Sequence, residues 1–173
     1  SILESLQRQY PENVISLKIQ KKGKCGGARN LGMDICTGKY ITFVDADDYV
    51  HPDMLRVLYD RMTEDDYDVA QCGVSCFKAD KPNVLEVNDF EIQRLDLDNV
   101  RKNLIIGLTG FTNVTAWAKL YSTKFIIEHN LRFIEDVYYE DTHFSMLCVL
   151  LAKKYCKVQS TLYYYFENTE GII

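Results

Sequence analysis

The run "GGARNLGMDICTGKYITFVDADD", residues 26 to 48, constrains the fold more than any other part of the chain. A helical stretch closed by Gly38 passes directly into a short apolar strand, "YITFV", which stops against Asp45, Asp47 and Asp48. Glycine just past a helix supplies the backbone freedom its C-terminus needs. Beyond the acids, Pro52 opens the next helix, where a missing N–H costs nothing. Strands that alternate with helices in this way favour an α/β layer fold with a mostly parallel central sheet.

The remainder fits that scheme. Residues 2 to 9 read as a short helix with Ile2, Leu3 and Leu6 inward, ended by Pro11, and "NVISLKI" follows as a strand. Met54, Leu55, Leu58 and Met62 give the helix after Pro52 an apolar stripe, and "DVAQCGVSCF" is a strand. Residues 79 to 95 form a polar excursion with hairpin character, and "DLDNVRKNLIIG" is helical. Residues 109 to 121 read as loop with a helical turn around Trp117, and Ser122 caps "TKFIIEHN". A buried helix runs from Glu140 to Lys154 on Phe144, Leu147, Val149, Leu150 and Leu151, and "TLYYYF" is a last strand.

Composition narrows the function. At 47% hydrophobic and 26% charged the chain is globular, and its 173 residues can bury a core. A net charge of -5 without a Lys/Arg block argues against nucleic acid as a partner, because phosphate backbones require a basic stripe. The longest apolar run, Met146 to Ala152, falls far short of the roughly 20 residues of a membrane helix. The six cysteines lack paired C-x-x-C spacing and read as reduced thiols of a cytosolic protein. Cys72 and Cys76 would share one face of a strand, but no histidine accompanies them as a zinc ligand.

In open α/β sheets ligands sit beyond the carboxyl ends of the strands, where Asp45, Asp47 and Asp48 fall. Neighbouring carboxylates repel one another, and a hard divalent cation, Mg²⁺ or Mn²⁺, would offset them while holding a diphosphate. A solvated turn whose acids favour the next helix is the bland alternative. Just upstream, "GKCGGARN" feeds a helix N-terminus with Arg29 beside it, a setting whose backbone N–H groups suit phosphate oxygens. Gly26 and Gly27 could equally serve close packing. Later, Glu140 and Asp141 open the apolar helix, either complementing its dipole or supplying a general base. Glu135 and Asp136 read as loop surface, and His143 as structural or as a cleft residue.

These motifs resemble, in order, those of family 2 glycosyltransferases with the GT-A fold. "GGARNLGMDICTGKYITFVDADDYVHPDML" follows the family pattern Gly-Gly-x-x-Ala-Arg-Asn, helix, Gly-Lys/Glu-Tyr and Asp-x-Asp-Asp, with a loop two residues shorter. "AWAKLY" is similar to the family's Trp-Asn-Lys-Leu-Tyr, with Ala118 in place of Asn, and "YYEDTHF" and "TLYYYF" resemble its Glu-Asp and Tyr-Tyr-Tyr segments. The resemblance implies a layered α/β/α nucleotide-diphospho-sugar transferase that inverts the anomeric carbon. It makes residues 1–78 of a single 1–173 domain the nucleotide- and metal-binding part and 79–173 the acceptor side.

The resemblance also assigns roles. Asp45 would contact the nucleotide ribose, and Asp47, with Asp45 and Asp48 close by, would hold Mn²⁺ or Mg²⁺. Gly26, Gly27, Arg29 and Asn30 would help hold the nucleotide, and Trp117 and Lys119 would bound a sugar. Asp141 would be the catalytic base and Glu140 its companion. The expected partners are a nucleotide-diphosphate sugar and a glycan or lipid-linked acceptor, in polysaccharide biosynthesis at the cytoplasmic side of a membrane, with peripheral association and a homodimer both compatible.

The family's domain opens with two strands that "SILESLQRQY" does not resemble, so an N-terminally truncated domain with weak donor binding is expected. Two alternatives stand beside this reading. One is a non-catalytic binding or assembly module of the same fold. The other is a haloacid-dehalogenase-type phosphatase, which also places Asp-x-Asp after a strand but expects Thr or Val where Tyr49 lies.

Overall fold

A computed structural model describes residues 2–18, 24–78, 92–94, 96–98 and 114–167. Its elements are α1 (Ile2–Gln9), α2 (Cys25–Ile35), β1 (Tyr40–Ile41), β2 (Tyr49–Val50), α3 (Met54–Glu64), β3 (Val69–Phe77), β4 (Ile92–Arg94), β5 (Lys119–Ser122), α4 (Thr123–Glu128), α5 (Glu140–Leu151) and β6 (Tyr155–Phe166).

The strands form one sheet in the order β1-β5-β3-β6-β2, with β4 also paired to β6. Helices cover both faces, because alternate residues of each strand point to opposite sides. Val69 of β3 and Tyr121 of β5 join Phe125, Phe133, Phe144 and Cys148 on the face under α4 and α5. Their neighbours Ala70 and Leu120 pack with Met54, Val57, Leu58 and Met62 of α3 on the other. The α3 stripe therefore runs through Val57, and Leu55, expected inside, is 53% exposed.

The α/β class holds, but a mostly parallel sheet does not describe these strands. Only β3 and β6 pair in parallel; β5 runs antiparallel to both β1 and β3, and β2 and β4 close antiparallel onto β6. β6 spans twelve residues, twice the expected "TLYYYF", and its register against β3 shifts on both sides of Gly73. A Cβ on Gly73 would meet the carbonyl oxygens of Gln159 and Ser160, both at 2.9 Å, so the glycine admits the irregular turn of β6. On either side of Gly73, Cys72 is buried and Cys76 exposed, and the two do not share an environment; all six thiols are free.

Other expectations are revised. Residues 14–18 of "NVISLKI" form no ladder with any described residue, and Ile15 and Leu17 are exposed. A strand is stable only where a partner takes up its backbone groups. α1 forms where expected, but Ile2, Leu3 and Leu6 face solvent. Residues 115–118 are bends, not a helical turn, and β5 begins at Lys119 within the expected loop. α5 ends at Leu151, with Leu150 and Leu151 more than a third exposed. The expected hairpin over 79–95 is described only at β4, and "DLDNVRKNLIIG" lies largely outside the described residues. Ser122 does cap α4, its Oγ accepting from the Phe125 N–H at 3.3 Å.

One consequence of the strand order positions the site. β1 and β2 lie at opposite ends of the sheet, so residues 42–48, which join them, pass across it. The Thr42 hydroxyl holds the start of that passage through the Lys119 carbonyl at 2.7 Å, and Val50 opposite Tyr163 fixes its end.

Candidate active site

β1 keeps only Tyr40 and Ile41 of the expected strand "YITFV", so the acids lie on the crossing segment and not at a strand end, and that segment ends in a tight turn. The Asp48 N–H donates to the Asp45 carbonyl at 3.2 Å, leaving Asp47 exposed between them. Asp48 is turned inward: its Oδ2 accepts the Tyr163 hydroxyl at 2.6 Å and its Oδ1 the Phe166 N–H at 2.9 Å. Burial raises its pKa, against the pull of those two bonds. The Asp45 carboxylate is about one-third exposed and points the other way, toward Arg29.

Arg29 joins the two acidic clusters that the sequence suggested separately. Its guanidinium donates from Nη2 to Asp45 Oδ1 at 2.8 Å and from Nη1 to Glu140 Oε1 at 2.6 Å. Burial would lower the Arg29 pKa, but the hydrogen bond and charge of Asp45 and the charge of Glu140 outweigh it. One cation, 11% exposed, thus bridges the acid turn to the start of α5, and the carboxylates of Asp45 and Glu140 are held facing it. Asp141 follows, half-buried, its pKa raised by burial and then by the charge of Glu140, with Arg29 pulling the other way. Its Oδ1 accepts the Thr142 N–H at 2.9 Å. Tyr139, at φ 60°, turns the chain sharply into this acid pair.

The sequence suggests a flexible loop over residues 23–27, but the glycine pair is helical, since α2 starts at Cys25; Gly23 lies outside the described residues. A Cβ on Gly26 would collide with the Ile134 carbonyl and crowd the Glu140 side chain, so this glycine lets α2 approach the segment before α5. Gly27 has room for a side chain beside Glu135. Asn30, expected toward a nucleotide, is buried and clamps Phe133 by both backbone groups: its amide donates to the Phe133 carbonyl and accepts the Phe133 N–H, each at 3.0 Å. A further bond from the same amide reaches Glu135 Oε1 at 3.0 Å.

Trp117 and Lys119, expected to bound a sugar, are both buried. The indole stacks on Tyr163, centroids 4.7 Å apart, and on Tyr165 at 5.5 Å. The Lys119 ammonium donates to the Thr115 carbonyl, which also accepts the Ser145 hydroxyl of α5 at 2.8 Å. Burial pushes the Lys119 pKa down to about 7. His143 is exposed. Asp45, Asp47 and Asp48 do not converge, and among the described residues no three His, Cys, Asp or Glu side chains are grouped to hold a metal. A groove of about 460 Å³ lies between α2 and residues 41–46, with Ala28, Arg29, Phe43 and Asp45 in its wall. A second cavity, about 320 Å³ beside Met33, Ile126 and Leu131, lies away from these carboxylates.

Tyr163 and the Arg29–Glu140 pair were not assigned these roles from sequence. The run of tyrosines in "TLYYYF" was the available signal, because alternate residues of a strand share a face and Tyr163 and Tyr165 both meet Trp117.

The layered α/β fold thus sets an acid turn on the segment that crosses the sheet, with a second acid pair at the head of α5 beside it. The family model described as glycosyl transferase family 2 matches residues 1–125, and the chain belongs to that family. It is 30% identical over 170 residues to the uncharacterized glycosyltransferase YibD of Escherichia coli K12, covering 95% of this chain and 49% of that protein. It is 29% identical to the cholesterol galactosyltransferase of Borreliella burgdorferi, over 96% of this chain and 48% of that one. The poly(ribitol-phosphate) beta-glucosyltransferase of Bacillus spizizenii is 26% identical over 98% of this chain and 25% of its own length.

The crystal structure of S. aureus TarS 1-349 in complex with UDP-GlcNAc superposes with a TM-score of 0.74 at 19% identity, over 99% of this chain and 48% of that one. The likeness bears out the GT-A-type fold. The chain spans about half the length, or less, of the curated relatives described. Membership of this family sets aside the phosphatase alternative. No helix among the described residues is long and apolar enough to cross a membrane.

Proposed function

We propose that this protein transfers a sugar from a nucleotide-diphosphate donor to a hydroxyl of a glycan or lipid-linked acceptor, with inversion at the anomeric carbon. The observation that carries the reading is the bridge through Arg29, which holds Asp45 of the acid turn and Glu140 at the head of α5 on one cation. Donor-side and acceptor-side acids are thereby neighbours, as a direct displacement requires. A uridine-diphosphate sugar as donor is consistent with the UDP-GlcNAc held by TarS. Relatives named for a sterol and for poly(ribitol-phosphate) support an acceptor on a lipid or a polymer.

In this reading Asp45 meets the donor's ribose, and Asp141 takes the proton of the attacking hydroxyl from the face opposite the leaving diphosphate. The raised pKa of Asp141 suits a base that must hold a proton and release it. Exposed Asp47 and part-exposed Asp45 offer hard oxygen donors that fit Mg²⁺ or Mn²⁺, ions that draw most of their shell from water and phosphate. Such an ion would supply charge neutralisation on the departing diphosphate. Action at the cytoplasmic face of a membrane, in building a polysaccharide, is the setting this chemistry fits.

The test is UDP release by the purified protein from a panel of UDP-sugars with an acceptor, in Mn²⁺ and in EDTA. Asp47→Ala and Asp141→Ala are expected to lose at least about a hundredfold, the low end of what a positioned base contributes. Turnover should fall as pH drops through a value above the ordinary aspartate range, because the base works deprotonated. Full activity in either variant rejects the assigned role. A folded protein that binds donor but never turns it over would be a binding module instead.

A further inference from the structure

We propose that Tyr163 is a positioning residue for the donor site: with Asp48 it latches the acid turn to β6 and leaves Asp47 and Asp45 to meet the ligand. This rests on the metal-assisted reading above and divides the labour among the three acids differently from a shared metal cluster.

The geometry is specific. The Tyr163 ring is fully buried, and its stack on Trp117 is nearly parallel, at 9°. Packing therefore fixes where the hydroxyl lies. That hydroxyl reaches both ends of the turn, donating to Asp48 Oδ2 at 2.6 Å and accepting the Asp45 N–H at 3.2 Å. The Phe166 N–H takes the other Asp48 oxygen, so β6 grips this carboxylate at two points. Asp48 is thereby committed to the fold through bonds on both of its oxygens, while Asp47 stays exposed.

The chemistry gives the latch a purpose. Three carboxylates within residues 45–48 repel one another, and an untethered turn would splay. Anchoring Asp48 holds the turn's shape before any cation arrives, so less ordering remains when ligand binds. A buried tyrosine hydroxyl always requires a partner, which alone would explain a single bond. It does not explain why one hydroxyl spans both ends of the acid turn.

The experiment measures Mn²⁺ binding in the presence of UDP from the signal of free Mn²⁺ in electron paramagnetic resonance, alongside steady-state kinetics. Tyr163→Phe keeps the ring and its stack and removes the hydroxyl. Its Mn²⁺ dissociation constant should rise about tenfold, as for a lost hydrogen bond to a charged group. The kcat at saturating Mn²⁺ should stay within about threefold, the signature of lost positioning and not of lost chemistry.

Asp48→Ala should shift Mn²⁺ binding in the same direction, and because the two residues share one hydrogen bond the double variant should fall short of the product of the single effects. Tyr155→Phe is the control: on the same strand it deletes a buried hydroxyl bonded to Gln71 at 2.7 Å, and should lower thermal stability without changing Mn²⁺ binding. Unchanged Mn²⁺ affinity in folded Tyr163→Phe, or an equal shift in Tyr155→Phe, overturns the latch. Wild-type protein that turns over donor equally in EDTA and binds no Mn²⁺ overturns the metal reading itself, and the latch with it.

Discussion

Arg29 Nη1 lies 2.6 Å from Glu140 Oε1, with the two side chains 11% and 9% exposed, so a nearly dry ion pair ties α2 to the first residue of α5. Asp45 completes the arrangement from the acid turn, but with a carboxylate more open to water. Removing one member of a buried pair leaves its partner uncompensated, which costs far more than the pair's net worth. Arg29→Ala should therefore lose about 3–5 kcal/mol of stability in urea denaturation. Asp45→Asn, at the solvent-screened end, should lose no more than about 1 kcal/mol. Equal losses from the two would show that the bridge is not organised around Glu140.

Asn30 gives a second test, because its side chain is spent inside the protein. Its amide satisfies both backbone groups of Phe133, which sits in the core stacked on Phe144. Asn30→Ala leaves a buried N–H and carbonyl unpaired and should cost about 1–3 kcal/mol for each group stranded. A residue that only touched nucleotide would lose affinity and no stability. Thermal melts without ligand separate the two.

The local signals were legible and the long-range ones were not. Ser122 before α4 and the strand in "DVAQCGVSCF" are written within a few residues, and both elements formed where they stand. Gly38 was expected to close the preceding helix, but α2 ends at Ile35 with extended Cys36 as its cap. The partners of Arg29, Asn30 and Asp48 lie 111, 103 and 118 positions away, at Glu140, Phe133 and Phe166. No periodicity encodes such pairs. Strand direction escaped for the same reason, since β5 inserts between β1 and β3 only once the chain has doubled back. The motif order assigned Asn30 to a nucleotide and Lys119 to a sugar, yet packing turned both side chains inward. Periodicity misread α1 differently: its apolar side is real, but nothing among the described residues covers Ile2 or Leu3.

The two neighbouring glycines of α2 predict opposite outcomes. Gly26 lies against the Ile134 carbonyl, backbone that cannot swing aside, so Gly26→Ala should destabilise by about 1–3 kcal/mol through overpacking. It should also loosen the Arg29–Glu140 contact, because the same Cβ crowds the Glu140 side chain. Gly27→Ala meets only ordinary contact with Glu135 and gains helix propensity, so it should stabilise by up to about 1 kcal/mol. If both glycines also cradle phosphate, both substitutions weaken donor binding while the stability difference between them remains.

Lys119 makes a prediction in pH. Burial holds its folded-state pKa at about 7, whereas an unfolded lysine titrates near 10.4. Between those values the unfolded chain binds the extra proton, so this residue makes the protein more stable as pH rises across that window. Below about pH 7 both states are protonated and the buried charge exerts its full destabilising effect. Lys119→Met keeps the long apolar stem and removes the titration. Its melting temperature relative to wild type should be highest near about pH 6 and should decline steadily toward about pH 9. Burial raises Cys72 and Cys148 to about 12, and they bend the curve the other way above the ordinary thiol range. Both proteins carry these thiols, so they largely cancel in the difference. A difference that stays flat with pH would mean the ammonium remains charged in the fold, held there by the Thr115 carbonyl and the nearby charge of Asp141.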